Sequence, residues 1–155
     1  MPVINGRYQQ AGRAFSAAVV HAATDETADK LTLDLTAAYE AEGLQSLTRT
    51  LVWHKEQLPR LELKDEYRYE GVPESWTERF ITWRKPEALS SGAVLLPGHE
   101  SGGVKVTYDP AVVKPQINEH VYRDHFGQEK VWHSLDFQSV RPGSEGSYAF
   151  SFQFI

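Results

Sequence analysis

Residues 59–69, with the sequence PRLELKDEYRY, follow the two-residue period of a β-strand that buries one face. The apolar face carries Leu61, Leu63, Tyr67 and Tyr69. The residues between them are all charged, as expected for a solvent-facing side. Asp65 breaks the pattern, because it lies on the apolar face. A carboxylate buried there without donors or a cation costs several kcal/mol, so we expect Asp65 to have a fixed partner.

The preceding stretch, Leu44–Lys55, also has the pattern of a long strand, and a short polar link joins the two. We predict that they are antiparallel neighbours. Arg49 lies on the apolar side of this strand and is the partner we expect for Asp65. Backbone N–H groups at the strand ends are the alternative. Either way Asp65 is predicted to be a structural carboxylate, because its neighbour Glu66 faces the opposite way and cannot act with it on one bond.

The rest of the chain repeats short alternating segments separated by Gly, Pro and Asp. Asn5-Gly6 favours a tight hairpin turn, residues 13–21 are predicted to form a strand, and a short helical turn is predicted near Ala37–Gly43. The sequence DHFGQE suggests a hairpin loop at residues 124–129. With no long amphipathic helix between strands, the pattern predicts an all-β fold, an antiparallel β-sandwich of ten to twelve short strands.

Length and composition fit a single domain over residues 1–155 with a substantial core. The net charge of −5 argues against a nucleic-acid partner, and no apolar run is long enough for a transmembrane helix. The absence of cysteine excludes disulfides and thiolate metal sites. The start lacks the layout of a signal peptide, and an apolar strand follows Met1 at once. We expect the N-terminus to lie inside a larger domain, and localisation stays open.

Side chains able to carry chemistry are scattered. His120 and His125 flank a predicted loop and could converge on a metal, although a solvated loop is the simpler interpretation. His54 and Asp34 could share a site only if the strand register brings them together. Of the four tryptophans, Trp132 is the best candidate for stacking on sugar rings, because Ser134 and Asp136 share its face.

Three stretches, taken in order, resemble the C-terminal β-sandwich region of heparinase II/III-like polysaccharide lyases. They are PVINGRYQQAG at residues 2–12, LTLDLTAAYEAEGLQSLTRTLVW at residues 31–53, and LELKDEYRYEGVPESWTERFITWRKPE at residues 61–87. The similarity covers most of residues 2–108 and fades toward the C-terminus.

The resemblance implies a larger parent enzyme in which an α/α toroid precedes the β-sandwich region and a substrate cleft lies between them. The family's reaction is β-elimination, in which a base removes the C5 proton of a uronic acid and an acid assists the leaving oxygen. The family's Tyr and His catalysts, and the zinc ligands of some members, lie upstream of the stretch matched here. The resemblance therefore assigns no catalytic residue, no metal ligand and no cofactor to this chain, although zinc is possible in the parent.

We therefore predict a non-catalytic β-sandwich domain that supports or forms one wall of the lyase cleft, with the upstream toroid as its partner. An acidic polysaccharide is a possible second partner. The substrate of the parent enzyme could equally be alginate or heparin. Candidate substrate contacts are Asn5 and Gln10, in the matched hairpin, and Trp132. The alternative is a stand-alone carbohydrate-binding β-sandwich module. We expect neither a nucleic acid nor a membrane as a partner.

Overall fold

The computed structural model describes residues 1–55, 57–99 and 102–155. In this part of the chain the secondary structure consists of strands and one short 3₁₀ turn, which confirms the predicted all-β class. Twelve strands follow in chain order: β1 (Pro2–Ile4), β2 (Ala18–Thr24), β3 (Ala28–Asp34), β4 (Leu44–His54), β5 (Arg60–Tyr69), β6 (Trp76–Thr82), β7 (Glu87–Ser90), β8 (Ala93–Pro97), β9 (Gly103–Tyr108), β10 (Val113–Arg123), β11 (Glu129–Ser139) and β12 (Glu145–Phe154). No helix among the described residues is long and apolar enough to cross a membrane.

The strands form two antiparallel sheets of unequal size. The smaller sheet has the order β1-β6-β11-β10, and the larger has the order β2-β3-β4-β5-β12-β9-β8-β7. The larger sheet has twice as many strands as the smaller, so the smaller sheet cannot cover all of its inner face. The predicted β4–β5 pairing is present, and a hairpin joins β10 to β11 around residues 124–128 as the sequence indicated.

Aromatic rings hold the two sheets together at the centre of the sandwich. Trp76 from β6 stacks on Tyr67 from β5 with ring centroids 3.8 Å apart, and Tyr148 from β12 packs beside them. Farther along the same strands, Phe80 makes edge contacts with Phe150 at 5.2 Å. These rings are largely buried, and their burial supplies much of the hydrophobic driving force for this fold.

The N-terminal segment differs in part from the sequence prediction. Asn5 and Gly6 have φ values of 50° and 74°, which is the tight turn expected of this pair. The strand predicted over residues 13–21 begins only at Ala18. Ala18, the first residue of β2, pairs with Asp34, the last residue of β3. Residues 13–17 therefore lie beyond the end of β3 and have no residue of that strand to pair with. All of β2 is exposed, and the apparent alternation of residues 15–21 therefore does not reflect burial.

The helical turn predicted near Ala37–Gly43 is a 3₁₀ turn at Thr36–Ala38. It therefore begins one residue earlier than expected and is shorter. The Asp34 carboxylate accepts a hydrogen bond from the Thr36 backbone N–H at 2.9 Å, which fixes the exit from β3. The backbone at Gly43, with φ of 87°, then leads into β4.

Candidate functional site

The structure brings Arg49 and Asp65 together inside the sandwich. They lie directly opposite each other on β4 and β5, so their side chains share one face. Arg49 Nε donates to Asp65 Oδ1 at 2.8 Å and Nη2 donates to Oδ2 at 2.5 Å. Asp65 is fully buried and the Arg49 side chain is 16% exposed. This two-pronged geometry is the strongest form of a carboxylate–arginine contact.

A second buried carboxylate, Glu78, joins this pair from the opposite sheet. One Glu78 oxygen accepts a hydrogen bond from Trp76 Nε1 at 2.8 Å, and the other lies 3.5 Å from Arg49 Nη2. Burial raises the pKa of Glu78 well above its ordinary range, and the Asp65 carboxylate raises it further. Two carboxylates thus share one guanidinium in the core. Sequence reasoning missed Glu78, because the alternation of Trp76, Glu78 and Phe80 was not followed onto an inner face.

Asn5 is one of the three candidate substrate contacts, and the structure gives it a role in the turn. Its side-chain Nδ2 donates to the Tyr69 hydroxyl at 3.0 Å, and its Oδ1 accepts from the Ser75 N–H at 3.0 Å. A cavity of about 510 Å³ opens beside it. Its charged lining consists of Arg7, Glu42, Glu70 and Glu74. Three carboxylates against one arginine make this cavity unfavourable for an acidic sugar.

Gln10, the second candidate, is held close to the chain around it. Its Nε2 donates to the Tyr8 carbonyl at 3.1 Å, and its backbone N–H donates to the Ala38 carbonyl at 3.0 Å. The structure does not bring Gln10 into the lining of the cavity beside Asn5.

Trp132, the third candidate, lies at the far end of the smaller sheet. Asn5 bonds to Ser75, the residue before β6, whereas Trp132 on β11 lies one residue beyond the level of Thr82, the last residue of β6. The seven to eight residues between these levels correspond to roughly 25 Å. The three candidate contacts therefore do not form one site.

The outer face of the smaller sheet, where Trp132 lies, carries a polar network. Arg79 donates to both oxygens of Asp136, at 2.7 and 2.5 Å, and Asn118 donates to the same carboxylate at 3.0 Å. Arg79 also donates to the Tyr8 hydroxyl at 2.8 Å. The hydrogen bonds that Arg79 donates to the Asp136 carboxylate raise the pKa of Arg79. Asp136, the acceptor in this network, and Ser134 share the face of Trp132 as expected, and both are buried.

Beyond the network, the same face carries an aromatic row composed of Trp83, Trp132, His120 and Tyr122. Trp132 and His120 are cross-strand partners, and their rings stack at 4.0 Å. His120 Nε2 bonds to Ser134 Oγ at 3.0 Å. Trp83 is 68% exposed, and its ring centroid lies 6.3 Å from that of Tyr122. The sequence favoured Trp132, but one face of that ring is against His120, and Trp83 is the more accessible ring.

The histidines do not converge on a metal. His120 is stacked on Trp132, whereas the His125 ring packs on its neighbour Phe126 at 4.0 Å. Within residues 1–55, 57–99 and 102–155, no three His, Asp or Glu side chains are placed to hold an ion. We therefore derive no step through a metal.

The register also separates His54 from Asp34. His54 pairs with Ala28 and Asp34 with Thr48, at opposite ends of the β3–β4 ladder and roughly 20 Å apart. His54 Nε2 instead lies 3.3 Å from Glu62 Oε2. His133 is buried on the inner face, as expected from its apolar neighbours, with Nε2 3.5 Å from Glu119 Oε2.

The inner face of the larger sheet continues past the smaller sheet as an uncovered apolar patch, composed of Leu31, Trp53, Leu61 and Phe154. The strand registers place these side chains on the same face as the buried Leu63. Phe154 is 49% exposed, the other three are partly buried, and the Trp53 and Phe154 rings lie 6.1 Å apart. Contiguous exposed apolar surface is a common feature of protein interaction sites.

The smaller sheet leaves a matching apolar surface at the same end. Trp76 packs beside Tyr148, and four residues farther along β6, Phe80 packs beside Phe150 of β12. The facing strands β6 and β12 therefore point in the same direction. Both strands therefore lead toward the end where Phe154 lies. There the cross-strand pair Val121 and Val131 is 59% and 43% exposed on the inner face. The sandwich is thus open and apolar at this end.

Comparison with known proteins gives matches at the level of structure only. No family model and no curated protein matches the sequence. The heparan sulfate lyase HepC from Pedobacter heparinus superposes with a TM-score of 0.73 at 9% identity, over 99% of this chain and 23% of the lyase. A crystal structure of heparinase III gives a TM-score of 0.64 at 8% identity, again over 99% of this chain and 23% of the other.

The chain thus spans less than a quarter of the length of the lyases that it matches. At these identities the likeness concerns the fold, which agrees with the family resemblance found in the sequence. Residues 1–155 have the β-sandwich fold of a region of heparinase III-like polysaccharide lyases.

Proposed function

We propose that this chain is a non-catalytic β-sandwich domain of a larger heparinase III-like polysaccharide lyase, in which it supports one wall of the substrate cleft. The observation that carries the proposal is the uncovered apolar patch. Leu31, Trp53, Leu61 and Phe154 extend a core face that the smaller sheet does not cover. An apolar face of this kind is stabilised by packing against further protein. The remaining part of a lyase, including its α/α toroid, is the partner that fits.

The non-catalytic assignment rests on how the titratable side chains are engaged. β-elimination needs a base beside the C5 proton and an acid beside the leaving oxygen. His54 and His133 lie beside carboxylates, and His120 bonds to a serine. Tyr67 and Tyr148 are buried in the core, with their hydroxyls 3.4 Å apart. We expect zinc, if the parent enzyme uses it, to be bound outside this domain.

The native size of the protein tests this proposal. An antibody raised against the 17.5 kDa chain would be used to probe an extract of the source cells by immunoblotting. Because the chain covers 23% of the matched lyases, we expect a band several times larger than the chain. A band at 17.5 kDa alone, in extracts prepared with protease inhibitors, would contradict the proposal.

The second candidate function is a stand-alone carbohydrate-binding module. The aromatic row favours it, since exposed Trp and Tyr rings on a flat sheet are suited to stacking on sugars. The same immunoblot separates the two functions, because a stand-alone module would run at the size of this chain.

A further inference from the structure

We propose that two copies of this chain associate through the free edge of β10, with the two strands antiparallel and centred on Val121. This pairing joins the four-stranded sheets of the two copies into one continuous sheet. The inference goes beyond the proposed function and does not rest on it, because the edge of β10 is separate from the uncovered apolar patch on the larger sheet.

The first argument is the contrast between β10 and the other strands at the sheet edges of the described chain. β1 has three residues, and β2 and β7 each contain a register shift against the neighbouring strand. Short length and bulges prevent edge strands from pairing with other chains. β10 has neither feature, because all eleven of its residues pair with β11 in one unbroken register. Its free edge is therefore a template for another strand.

The second argument is the direction of the backbone groups of β10. Directly after the strand, the Asp124 N–H donates to the Gln128 carbonyl at 2.9 Å. Directly before it, the Val112 carbonyl accepts from the Val140 N–H, also at 2.9 Å. Bonded and non-bonded pairs alternate along an antiparallel ladder, so the even-numbered residues of β10 bond to β11. The odd-numbered residues direct their N–H and C=O groups to the free edge.

The two halves of this edge differ in their ability to pair. Pro115 lies at an odd-numbered position of the first half and has no N–H to offer, which is the place where an edge strand accepts proline. The second half has full donors and acceptors at Ile117, Glu119, Val121 and Arg123. Outside the ladder, no backbone hydrogen bond among the described residues involves these four. The second half is therefore the part available to a further strand.

The third argument is the complementarity of the second half with itself. When Val121 lies opposite Val121 of the second copy, Glu119 of each copy lies opposite Arg123 of the other. On the other face of the strand, His120 of each copy lies opposite Tyr122 of the other. Opposite charges and aromatic rings in such positions stabilise antiparallel strands. A register centred on Glu119 or on Arg123 instead places two like charges opposite each other.

The side chains of this half are accessible to a second copy. Val121 is 59% exposed, so the larger sheet does not cover the end of the hairpin. The Glu119 and Arg123 side chains are 63% and 75% exposed. Within the chain each makes one loose contact of 3.5 Å, to His133 and to Glu129 respectively. Surface pairs of this kind contribute little, so both side chains can exchange partners.

The complementarity favours a second copy over a strand of another protein, because each copy supplies both the carboxylate and the guanidinium. The paired segment is short, from Glu119 to Arg123. Its three bonded pairs exchange about six backbone hydrogen bonds. We expect a weak and reversible dimer, as is typical of small interfaces.

Sedimentation equilibrium of the 155-residue chain tests the inference. The concentrations would run from about 5 to about 500 µM, the range suited to a small interface. We expect the mass to rise from 17.5 kDa toward twice that value. Glu119→Arg and Arg123→Glu should each weaken association by about tenfold, because the symmetry of the pair creates two like-charge contacts. The variant with both exchanges should regain the association of the wild type.

A second variant tests the backbone pairing. Val121→Pro removes the N–H at the centre of the interface and should abolish the dimer. Pro115 shows that β10 accepts proline where the N–H faces the free edge. The matched control for charge is Lys30→Glu, which makes the same change as Arg123→Glu at an exposed residue of β3 and should associate as the wild type does. Circular dichroism melts of each variant show that the fold is retained.

Three results would overturn the inference. The first is a monomer at every concentration, and the second is a dimer that neither charge exchange weakens. The third is a folded double variant that associates no better than the single variants. None of these results bears on the chain length that the immunoblot measures, so the proposed function is tested separately.

Discussion

Arg49 and Asp65 face each other across β4 and β5, with two parallel hydrogen bonds of 2.8 and 2.5 Å between the guanidinium and a fully buried carboxylate. Burial lowers the pKa of Arg49, but the hydrogen bonds that it donates to Asp65 and the negative charge of that carboxylate outweigh this effect, and the pKa of Arg49 is raised. This pair ties neighbouring strands at the centre of the larger sheet and lies against Glu78 of the other sheet.

Replacement of Asp65 by Asn should therefore be costly. The buried Arg49 would lose both hydrogen bonds to Asp65 and keep only the more distant Glu78 carboxyl group, 3.5 Å away. Removing one partner of a buried ion pair costs about 3–5 kcal/mol. We expect a lower free energy of unfolding by this order in urea titrations. Glu66→Gln is the control, because Glu66 is exposed on the opposite face beside Lys64, and it should change stability by less than about 0.5 kcal/mol. Equal stability of Asp65→Asn and wild type would exclude a structural role for the ion pair.

Glu78 should make stability fall as the pH rises. Its folded pKa is raised by burial and by Asp65, so the folded state holds a proton that the unfolded chain has lost. The stabilisation from this proton is complete below the unfolded pKa of about 4.3 and is lost as pH rises through the folded pKa. Between these values the slope from this group is about −1.4 kcal/mol per pH unit.

The Glu78→Gln variant lacks this titration. We expect its stability, relative to that of the wild type, to increase from pH 5 to pH 8 in parallel denaturation series. The comparison cancels the titration of other groups, as long as the contacts of Arg49 and Trp76 are retained. A constant difference between the two proteins across this range would show that Glu78 titrates normally.

Gly146 should not tolerate a side chain. A Cβ at this position would lie 2.8 Å from the Tyr67 hydroxyl oxygen, and Tyr67 cannot move aside because it is stacked on Trp76. We expect Gly146→Ala to lower the free energy of unfolding by about 1–3 kcal/mol, as for other overpacking substitutions. The neighbouring exposed Ser147→Ala is the control and should have little effect. A wild-type melting temperature for Gly146→Ala would mean that the central stack is looser than described.

The uncovered apolar patch should bind a hydrophobic dye in the isolated chain. Phe154→Ser combined with Leu61→Ser should reduce the fluorescence of bound anilinonaphthalene sulfonate by about twofold or more, since the dye binds contiguous apolar surface. Val72→Ser, at an isolated residue that is 62% exposed, is the control. If the double variant and the control bind dye equally, the patch is not the accessible apolar surface.

The strand pattern was predictable where alternation reflects burial on one face, as in β5. The Arg49–Asp65 contact followed from the same reasoning, because antiparallel register brings like faces together. The limits of β2 were not predictable, since its residues are exposed on both faces and its start depends on where β3 ends. The burial of Glu78 was visible in the alternation of Trp76, Glu78 and Phe80. Its contact with Arg49 depends on how the two sheets pack on each other, which local patterns do not encode.

The most direct test of the account is a comparison of lyase activity between this chain and the native protein that contains it. The native protein would be captured from cell extract with an antibody against the chain. Both samples would be incubated with heparan sulfate and with alginate, and unsaturated uronate would be followed by ultraviolet absorbance. We predict product from the native protein and none from the isolated chain. Product formed by the isolated chain, or by neither sample, would contradict the account.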